Sequence, residues 1–165
     1  MTAPVDATHG LAARQVALLK GELHLRAAQS HPSLHACTRS GVAGPVLCYI
    51  LVEEGTIVTA MVNFRPRETI DELPAFNIEL AVPEDRRRLG RGQEAVDAAL
   101  LELRHELGRA GVFDFRVEAI VEMDNAASRR IAENSISELA TATTDPYSGR
   151  PAFRYLRSFD RTPDD

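Results

Sequence analysis

Residues 76–99, FNIELAVPEDRRRLGRGQEAVDAA, contain the strand-to-helix transition that decides the fold. Apolar and polar residues alternate over residues 76–82, which is the two-residue period of a β-strand. Pro83 ends this pattern, and a basic turn containing Gly90 and Gly92 leads directly into an amphipathic helix. Glycine lets a backbone approach a ligand closely, and the first turn of a helix presents unpaired N–H groups and a partial positive charge. The stretch is therefore predicted to bind a phosphate group.

The elements that follow complete a βαβ unit. Residues 93–108 carry an apolar stripe at three- and four-residue spacing and are predicted as a helix, and residues 112–122 alternate as the next strand. Because a helical crossover joins parallel strands, residues 76–82 and 112–122 are expected to be parallel. The alternation in the first strand places Phe76, Ile78, Leu80 and Val82 on one face and Asn77, Glu79 and Ala81 on the other.

The N-terminal half is predicted to contain a helix and a hairpin. Two β-rich runs, residues 45–53 and 56–64, are separated by a short turn and indicate an antiparallel hairpin. Residues 65–74 are polar and rich in turn formers, so they are interpreted as a connection. Residues 11–29 are predicted as a helix, although their middle part also fits a short hairpin, and residues 1–10 as a loose start.

The C-terminal part is predicted to add a short helix and two strands. Asp124 or Asn125 is a suitable N-cap for a helix. The predicted elements are a helix at 126–133, strands at 136–143 and 152–159, a turn at 145–149 and a loose end at 160–165.

Composition narrows the class of protein. A length of 165 residues predicts one domain, 1–165, and a net charge of −5 without tryptophan argues against nucleic acid as a partner. Two cysteines make neither a disulfide framework nor a metal site. The absence of a signal peptide and of a long apolar run predicts a cytoplasmic protein without membrane partners. The arginine cluster suggests a small anionic ligand, while a solvated loop explains it equally well; its members are Arg86, Arg87, Arg88 and Arg91.

Two motifs carry a resemblance to a known family. The run VPEDRRRLGRG resembles the acetyl-CoA signature of the GNAT N-acetyltransferases, in which Arg or Gln precedes two spaced glycines, and Arg87, Gly90 and Gly92 fill its positions. The run DNAASRRIAEN is similar to the family's later element, in which an Asn and a Ser or Ala three residues on open a helix. Asn125 and Ser128 hold those positions.

The resemblance covers about residues 45–160 and implies a fold class and a co-substrate. The implied fold is α/β (α+β), with a mixed, mostly antiparallel twisted sheet, a central parallel splayed strand pair, and helices on both faces. Acetyl-CoA would place its pyrophosphate on the backbone amides of residues 89–93 and its pantetheine arm along strand 76–82. The implied cofactor-binding residues are Leu80, Ala81, Val82, Arg87, Arg88, Leu89, Gly90, Arg91, Gly92, Gln93, Asn125 and Ser128.

The resemblance also guides the choice of catalytic residues. A general base must take a proton from the ammonium of the acceptor. Glu79 is the first candidate, and Glu118 and Glu122 on the neighbouring strand are the next, although each also fits a solvent-facing strand residue. Many family members carry a Tyr acid on the helix, but Ala132 stands at that position here. Tyr155 or Tyr147 would replace it, and Tyr155 fits a core residue as well.

The leading function is therefore acyl-CoA-dependent N-acyl transfer, with acetyl passing to a small-molecule or peptide amine by direct attack in a ternary complex. A non-catalytic acyl-CoA-binding sensor or interaction module is the alternative. A nucleotide-binding α/β protein is disfavoured because Gln93 stands where a P-loop lysine is sought. Homodimers are common in such folds. Three histidines in the N-terminal part are expected to be surface or acceptor-pocket residues rather than metal ligands, namely His24, His31 and His35.

Overall fold

The structure is a computed structural model that describes residues 5–41 and 44–161 of the 165-residue chain. Its helices are α1 (Val5–Leu19), α2 (Arg91–Arg109) and α3 (Ala126–Ser135), with a short 3₁₀ turn at Glu84–Arg86. Its strands are β1 (Arg26–Ala27), β2 (Leu34–Gly41), β3 (Gly44–Glu53), β4 (Ile57–Ile70), β5 (Leu73–Ala81), β6 (Phe115–Glu122), β7 (Thr141–Thr144) and β8 (Pro151–Phe159).

All described strands belong to one sheet with the order β1-β2-β3-β4-β5-β6-β8-β7. Every neighbouring pair is antiparallel except β5 and β6, which are parallel and joined through α2. The predicted hairpin is formed by β3 and β4, and the predicted βαβ crossover by β5, α2 and β6. The expected fold class, a mixed and mostly antiparallel sheet with one central parallel pair, is confirmed.

The two faces of the sheet are covered differently. Phe76, Ile78 and Leu80 of β5 belong to the large core that includes α2 and part of α3. Ala81 belongs to a smaller cluster on the other face, which includes Leu11 of α1. The predicted alternation in β5 is therefore confirmed, and helices lie on both faces. Within the described residues, none of the helices has the length and apolar character that crossing a membrane requires.

The N-terminal part differs from its prediction. The helix predicted at 11–29 begins at Val5 and ends at Leu19, so it includes residues 5–10 of the predicted loose start. Gly21 ends it with φ +70° after a turn in which the Glu22 N–H donates to the Ala17 carbonyl, which is a Schellman-type end rather than a hairpin turn. Residues 1–4 and 162–165, where loose termini were predicted, lie outside the described residues.

The interpretation of residues 65–74 as a connection is wrong. β4 continues to Ile70 and β5 begins at Leu73, with Asp71 and Glu72 in the tight turn between them. Among the described residues, the pairing of β4 with β3 ends at Phe64, and Pro66 pairs only with Phe76 of β5; a proline is tolerated at such a position because one side of the strand needs no N–H.

Later boundaries also shift. β6 begins at Phe115 rather than residue 112, and the strand predicted at 136–143 is instead the shorter β7, Thr141–Thr144. Ile136 instead forms the C-cap of α3 and packs in the large core.

Candidate functional site

The central parallel pair separates along its length. β5 and β6 are paired only where Ala75, Phe76 and Asn77 face Arg116, Val117 and Glu118. Residues 78–81 remain paired with β4, yet no described residue of β6 pairs with them. The predicted splay is confirmed, and one edge of residues 78–81 is left open for a ligand that hydrogen-bonds like an added strand.

A small pocket of about 30 Å³ lies in this gap, and its lining residues are Asn77, Ile78, Glu79, Ile120, Asp145, Pro146 and Tyr147. The turn between β7 and β8 closes one side of the pocket. Asp145 orders this turn because its carboxylate accepts hydrogen bonds from the N–H groups of Tyr147 and Ser148 at 2.8 and 3.1 Å. Local sequence patterns do not bring this turn to β5, and Asn77 and Asp145 were not predicted as site residues.

Glu79 lines the pocket and is held by an arginine. Its side chain is only 6% exposed, and Arg65 donates to it from Nε at 2.9 Å and from Nη2 at 3.5 Å. A carboxylate has about four lone-pair positions, so the two bonds leave room for a further donor. The nearby Asn77 Oδ1 is a buried acceptor to which no described group donates. The pocket therefore combines a carboxylate with an unsatisfied amide oxygen.

Glu118 is placed differently. Its side chain is 2% exposed and lies between Arg67 and Arg154, which both donate to it. It sits where β5 and β6 begin to separate, and it is not among the pocket-lining residues. These contacts are those of a buried ion triad that joins β4, β6 and β8.

Tyr155 lies on the face covered by α3. It is fully buried, and its hydroxyl donates to Glu133 Oε1 at 3.3 Å. Burial raises the pKa of Tyr155, so the hydroxyl keeps its proton. Ala132 on α3 is likewise fully buried. Of the two tyrosines suggested by the sequence, Tyr147 lines the pocket and Tyr155 does not.

The glycines of the turn have different physical roles. Gly90 is the N-cap of α2 with φ +76°, a left-handed conformation that glycine adopts without strain. A Cβ at Gly92 would lie 3.0 Å from Ile131 Cδ1 and 3.1 Å from Leu80 Cδ2. Gly92 is therefore required for close packing of α2 against β5 and α3, whereas the sequence attributed it to ligand approach.

The arginines of the turn are not equivalent. Arg86 and Arg91 form ion pairs with Glu53 at the end of β3, with Arg91 Nε 2.5 Å from Glu53 Oε1. Arg87 is exposed, and its Nε donates to the Val82 carbonyl at 3.1 Å, which closes the loop after β5. Arg88 is also exposed and has φ +66°. The positive charge available to an anion thus comes mainly from Arg87 and Arg88.

Side chains at the start of α2 and α3 are used for internal contacts. Gln93 donates to Asp97 at 3.0 Å and to Ser135 at 2.5 Å. Asn125 Oδ1 accepts from the Ser128 N–H at 3.1 Å and caps α3, as predicted for this position. The backbone N–H groups of the first turn of α2 lack a capping side chain, because Gly90 has none. Leu89, next to them, is exposed.

The histidines lie away from the pocket. His31 Nε2 is 2.8 Å from Glu94 Oε1 on α2, and its Nδ1 accepts from the Ser33 N–H. None of the three histidines lines the pocket. Within the described residues, no group of three or more His, Cys, Asp or Glu side chains is arranged to hold a metal ion.

We expect Gly92→Val to lower the free energy of unfolding by about 1–3 kcal/mol, because the added atoms overpack the contact with Ile131 and Leu80. Gly108→Val is the matched control on the same helix, since its Cβ would meet Phe113 at an ordinary 3.6 Å. The control should stay within about 0.5 kcal/mol of the parent protein in urea unfolding. Equal stability of the two variants would contradict the packing role of Gly92.

Three solved structures with a similar fold are acetyltransferases. The enzyme from Salmonella typhimurium that modifies the N-terminal serine of ribosomal protein L7/L12 is 19% identical, covers 70% of this chain and 64% of its own, and has a TM-score of 0.51. The L7/L12 α-N-protein acetyltransferase RimL in complex with coenzyme A is 18% identical, with coverages of 70% and 63% and a TM-score of 0.50. The ribosomal-protein-S5-alanine acetyltransferase from Vibrio fischeri is 11% identical, with coverages of 70% and 62% and a TM-score of 0.53.

The chain therefore has the fold of the GNAT acetyltransferases, as the two motifs indicated. No family model matches the sequence, and no curated protein matches it. The aligned part spans less than two thirds of these three structures, at 64%, 63% and 62% of their lengths.

Proposed function

We propose that the protein is an acyl-CoA-dependent N-acyltransferase that transfers acetyl to a primary amine. The observation that carries this proposal is the separation of β5 from β6 immediately before the glycine turn that begins α2. One ligand would then meet an open strand edge and a helix N-terminus in succession. An acyl-CoA has a pantetheine arm that suits the first and a pyrophosphate that suits the second.

Backbone groups would do most of the binding. The N–H groups of residues 89–93 would hold the pyrophosphate, with Arg87 and Arg88 adding charge from the exposed side. The open edge at Leu80, Ala81 and Val82 would hold the pantetheine arm and donate an N–H to the thioester oxygen as charge develops there. Asn125 and Ser128 would border the arm at the start of α3. Arg91, Gly92 and Gln93 would contribute through their backbone N–H groups. The side chains of Arg91 and Gln93 make contacts within the protein, and Gly92 lets α2 pack closely against its neighbours.

The acceptor amine would enter the pocket beside Asn77 and Glu79. An ammonium group has three donors, and the pocket offers an unsatisfied Asn77 Oδ1 and a Glu79 carboxylate with open lone pairs. Glu79 would then remove the proton, directly or through one water, so that the neutral amine attacks the thioester carbonyl. Glu118 would have a structural role, because it lies outside the pocket and accepts hydrogen bonds from Arg67 and Arg154.

We assign Tyr147 as the general acid that protonates the departing CoA thiolate. It lines the pocket on the turn ordered by Asp145, whereas Tyr155 is buried beneath α3 and bonded to Glu133. Tyr147 is exposed at the edge of the pocket, and its phenol would supply the proton that Ala132 cannot.

Two tyrosine substitutions separate these roles. We expect Tyr147→Phe to reduce turnover by about 10²-fold or more, in line with removal of an acid or base catalyst. Tyr155→Phe should cost about 1 kcal/mol of stability, from the lost Glu133 bond, with turnover unchanged. Release of free CoA thiol and thermal unfolding measure the two effects. Loss of turnover in Tyr155→Phe alone would reverse the assignment.

A non-catalytic acyl-CoA-binding module remains the second candidate, because the site lacks the helix tyrosine of many GNAT enzymes. Two measurements distinguish the acyltransferase from the binding module. The first is the thermal shift with acetyl-CoA, CoA, ATP and NAD, and the second is the release of free thiol with a panel of amines. Stabilisation by acetyl-CoA and CoA together with amine-dependent thiol release is expected. Stabilisation without thiol release would favour the binding module, and no response to either CoA species would overturn both. The panel should include small amines and peptides with free N-termini, because two structural neighbours are named for acetylation of the N-terminal serine or the α-amino group of L7/L12.

A further inference from the structure

Two cysteines form a cross-strand pair beneath α1. Cys37 of β2 and Cys48 of β3 are direct partners in an antiparallel register. Direct partners share one face of a sheet and have Cα atoms about 4.5–5.5 Å apart, which lies within the range that a disulfide accepts. The two thiols are reduced in the structure and are within hydrogen-bonding reach of each other. The backbone therefore already holds both sulfurs in a position from which a bond can form.

A buried arginine points at this pair. Arg14 of α1 is only 8% exposed, and its side chain is within hydrogen-bonding reach of both thiols. One of its amino groups donates to the Gly10 carbonyl at 3.3 Å, while its Nε is buried with no described hydrogen-bond partner. A buried guanidinium requires a negative partner, and a thiolate is the anion that this environment can supply.

The two thiols are not equivalent. Cys48 is 1% exposed, and its hydrogen bond with Cys37 together with its burial raises the pKa of Cys48, so it keeps its proton. Cys37 is half-buried and is reached from solvent more readily. An oxidant therefore reaches Cys37 before Cys48, and the neighbouring Arg14 guanidinium favours the thiolate form of Cys37, which is the nucleophilic form.

From this geometry we propose that Cys37 is an oxidation site for peroxides and that Cys48 is its resolving thiol. The Cys37 thiolate attacks one oxygen of a hydroperoxide, the O–O bond breaks, and the leaving oxygen takes up a proton, giving a Cys37 sulfenic acid and water or an alcohol. The Cys48 sulfur then attacks the Cys37 sulfur, the S–O bond breaks, and the departing hydroxide leaves as water with the Cys48 proton. Two thiols are oxidised to one disulfide, and the peroxide is reduced.

The test uses the folded 165-residue chain with hydrogen peroxide. Intact mass should fall by two hydrogen atoms, both cysteines should become resistant to alkylation, and dithiothreitol should reverse both changes. Cys48→Ser should stop at a sulfenic acid on Cys37 that dimedone traps, and Cys37→Ser should remain unmodified at the same peroxide concentration. Arg14→Met should slow alkylation of Cys37 about tenfold relative to the parent protein, with folding checked by circular dichroism.

The competing outcomes are distinguishable. A disulfide between two copies, seen as a dimer on a non-reducing gel, would overturn the intramolecular pairing. Two thiols that react only after denaturation would overturn the reactivity of Cys37. Should Arg14→Met fail to fold, equal alkylation rates at Cys37 in Cys48→Ser and at Cys48 in Cys37→Ser would overturn the proposed asymmetry. These readouts do not depend on acyltransferase activity.

Discussion

Replacing Glu118 with alanine should lower the free energy of unfolding by about 3 kcal/mol, because Arg67 and Arg154 then lose the buried carboxylate that pairs with both of them. Glu118 is 2% exposed and accepts from Arg67 and Arg154. The side chains of both arginines are about a third exposed, at 32% and 35%, and their remaining contact with water keeps the loss near the lower end of the range for buried pairs. Urea unfolding, followed by circular dichroism, measures this loss.

The matched control for this experiment is Glu138→Ala, at an exposed position after α3. Its stability should stay within about 0.5 kcal/mol of the parent protein. A Glu118→Ala variant that is as stable as this control but has lost turnover would show that Glu118 acts on the substrate. Such a result would return Glu118 to the catalytic role suggested by the resemblance.

The elements around the glycine turn were predictable because their patterns are local. β5 alternates with period two, α2 has an apolar stripe, and Asn125 is a side-chain cap for α3. In each case the secondary structure that the local sequence favours is the one that the tertiary packing also requires. The resemblance then implied the splay of β5 from β6, which no local pattern contains.

β2 was not predicted, because its strand conformation depends on a distant partner strand rather than on a local sequence pattern. Its sequence LHACTRSG has little apolar alternation, and its strand conformation depends on pairing with β3, including the pair of Cys37 and Cys48. β-propensity is strongly dependent on such pairing, so a weak segment becomes a strand beside a strong one. The continuation of β4 to Ile70 was not predicted for the same reason, because Arg65 and Pro66 are typical of loops when their pairing with β5 is not known.

The candidate site was predicted only in part, because several of its residues are brought to β5 by contacts between segments that are distant in the sequence. The period of β5 placed Glu79 on the face opposite Ile78, as the structure has it. Its partner Arg65 was hidden because that residue was assigned to a connection. Tyr147 and Asp145 reach the pocket through the β7–β8 turn, which lies far from Asn77 in sequence. A sequence pattern records which face a residue takes, but not which distant loop comes to that face.

Replacing Glu79 with glutamine should reduce kcat by about 10²–10⁴-fold while leaving the Kd for acetyl-CoA nearly unchanged. Glutamine preserves the size of the side chain and an oxygen for Arg65, but it cannot take a proton from an ammonium group. Glu118→Gln is the matched control, since it makes the same change one strand away and outside the pocket. We expect the control to lose stability but to retain kcat below its unfolding temperature.

The choice of acceptor makes the Glu79 experiment specific for proton removal. A strongly basic alkylamine arrives protonated at pH 7 and needs a base, whereas a weakly basic aromatic amine arrives neutral and does not. Glu79→Gln should therefore be severely impaired with the first kind of acceptor and much less with the second. If Glu79 only positions the acceptor or supports the strand through Arg65, both acceptors lose rate equally. An equal loss would reject the base and leave Glu79 as a binding residue, while an unchanged kcat would remove it from the site.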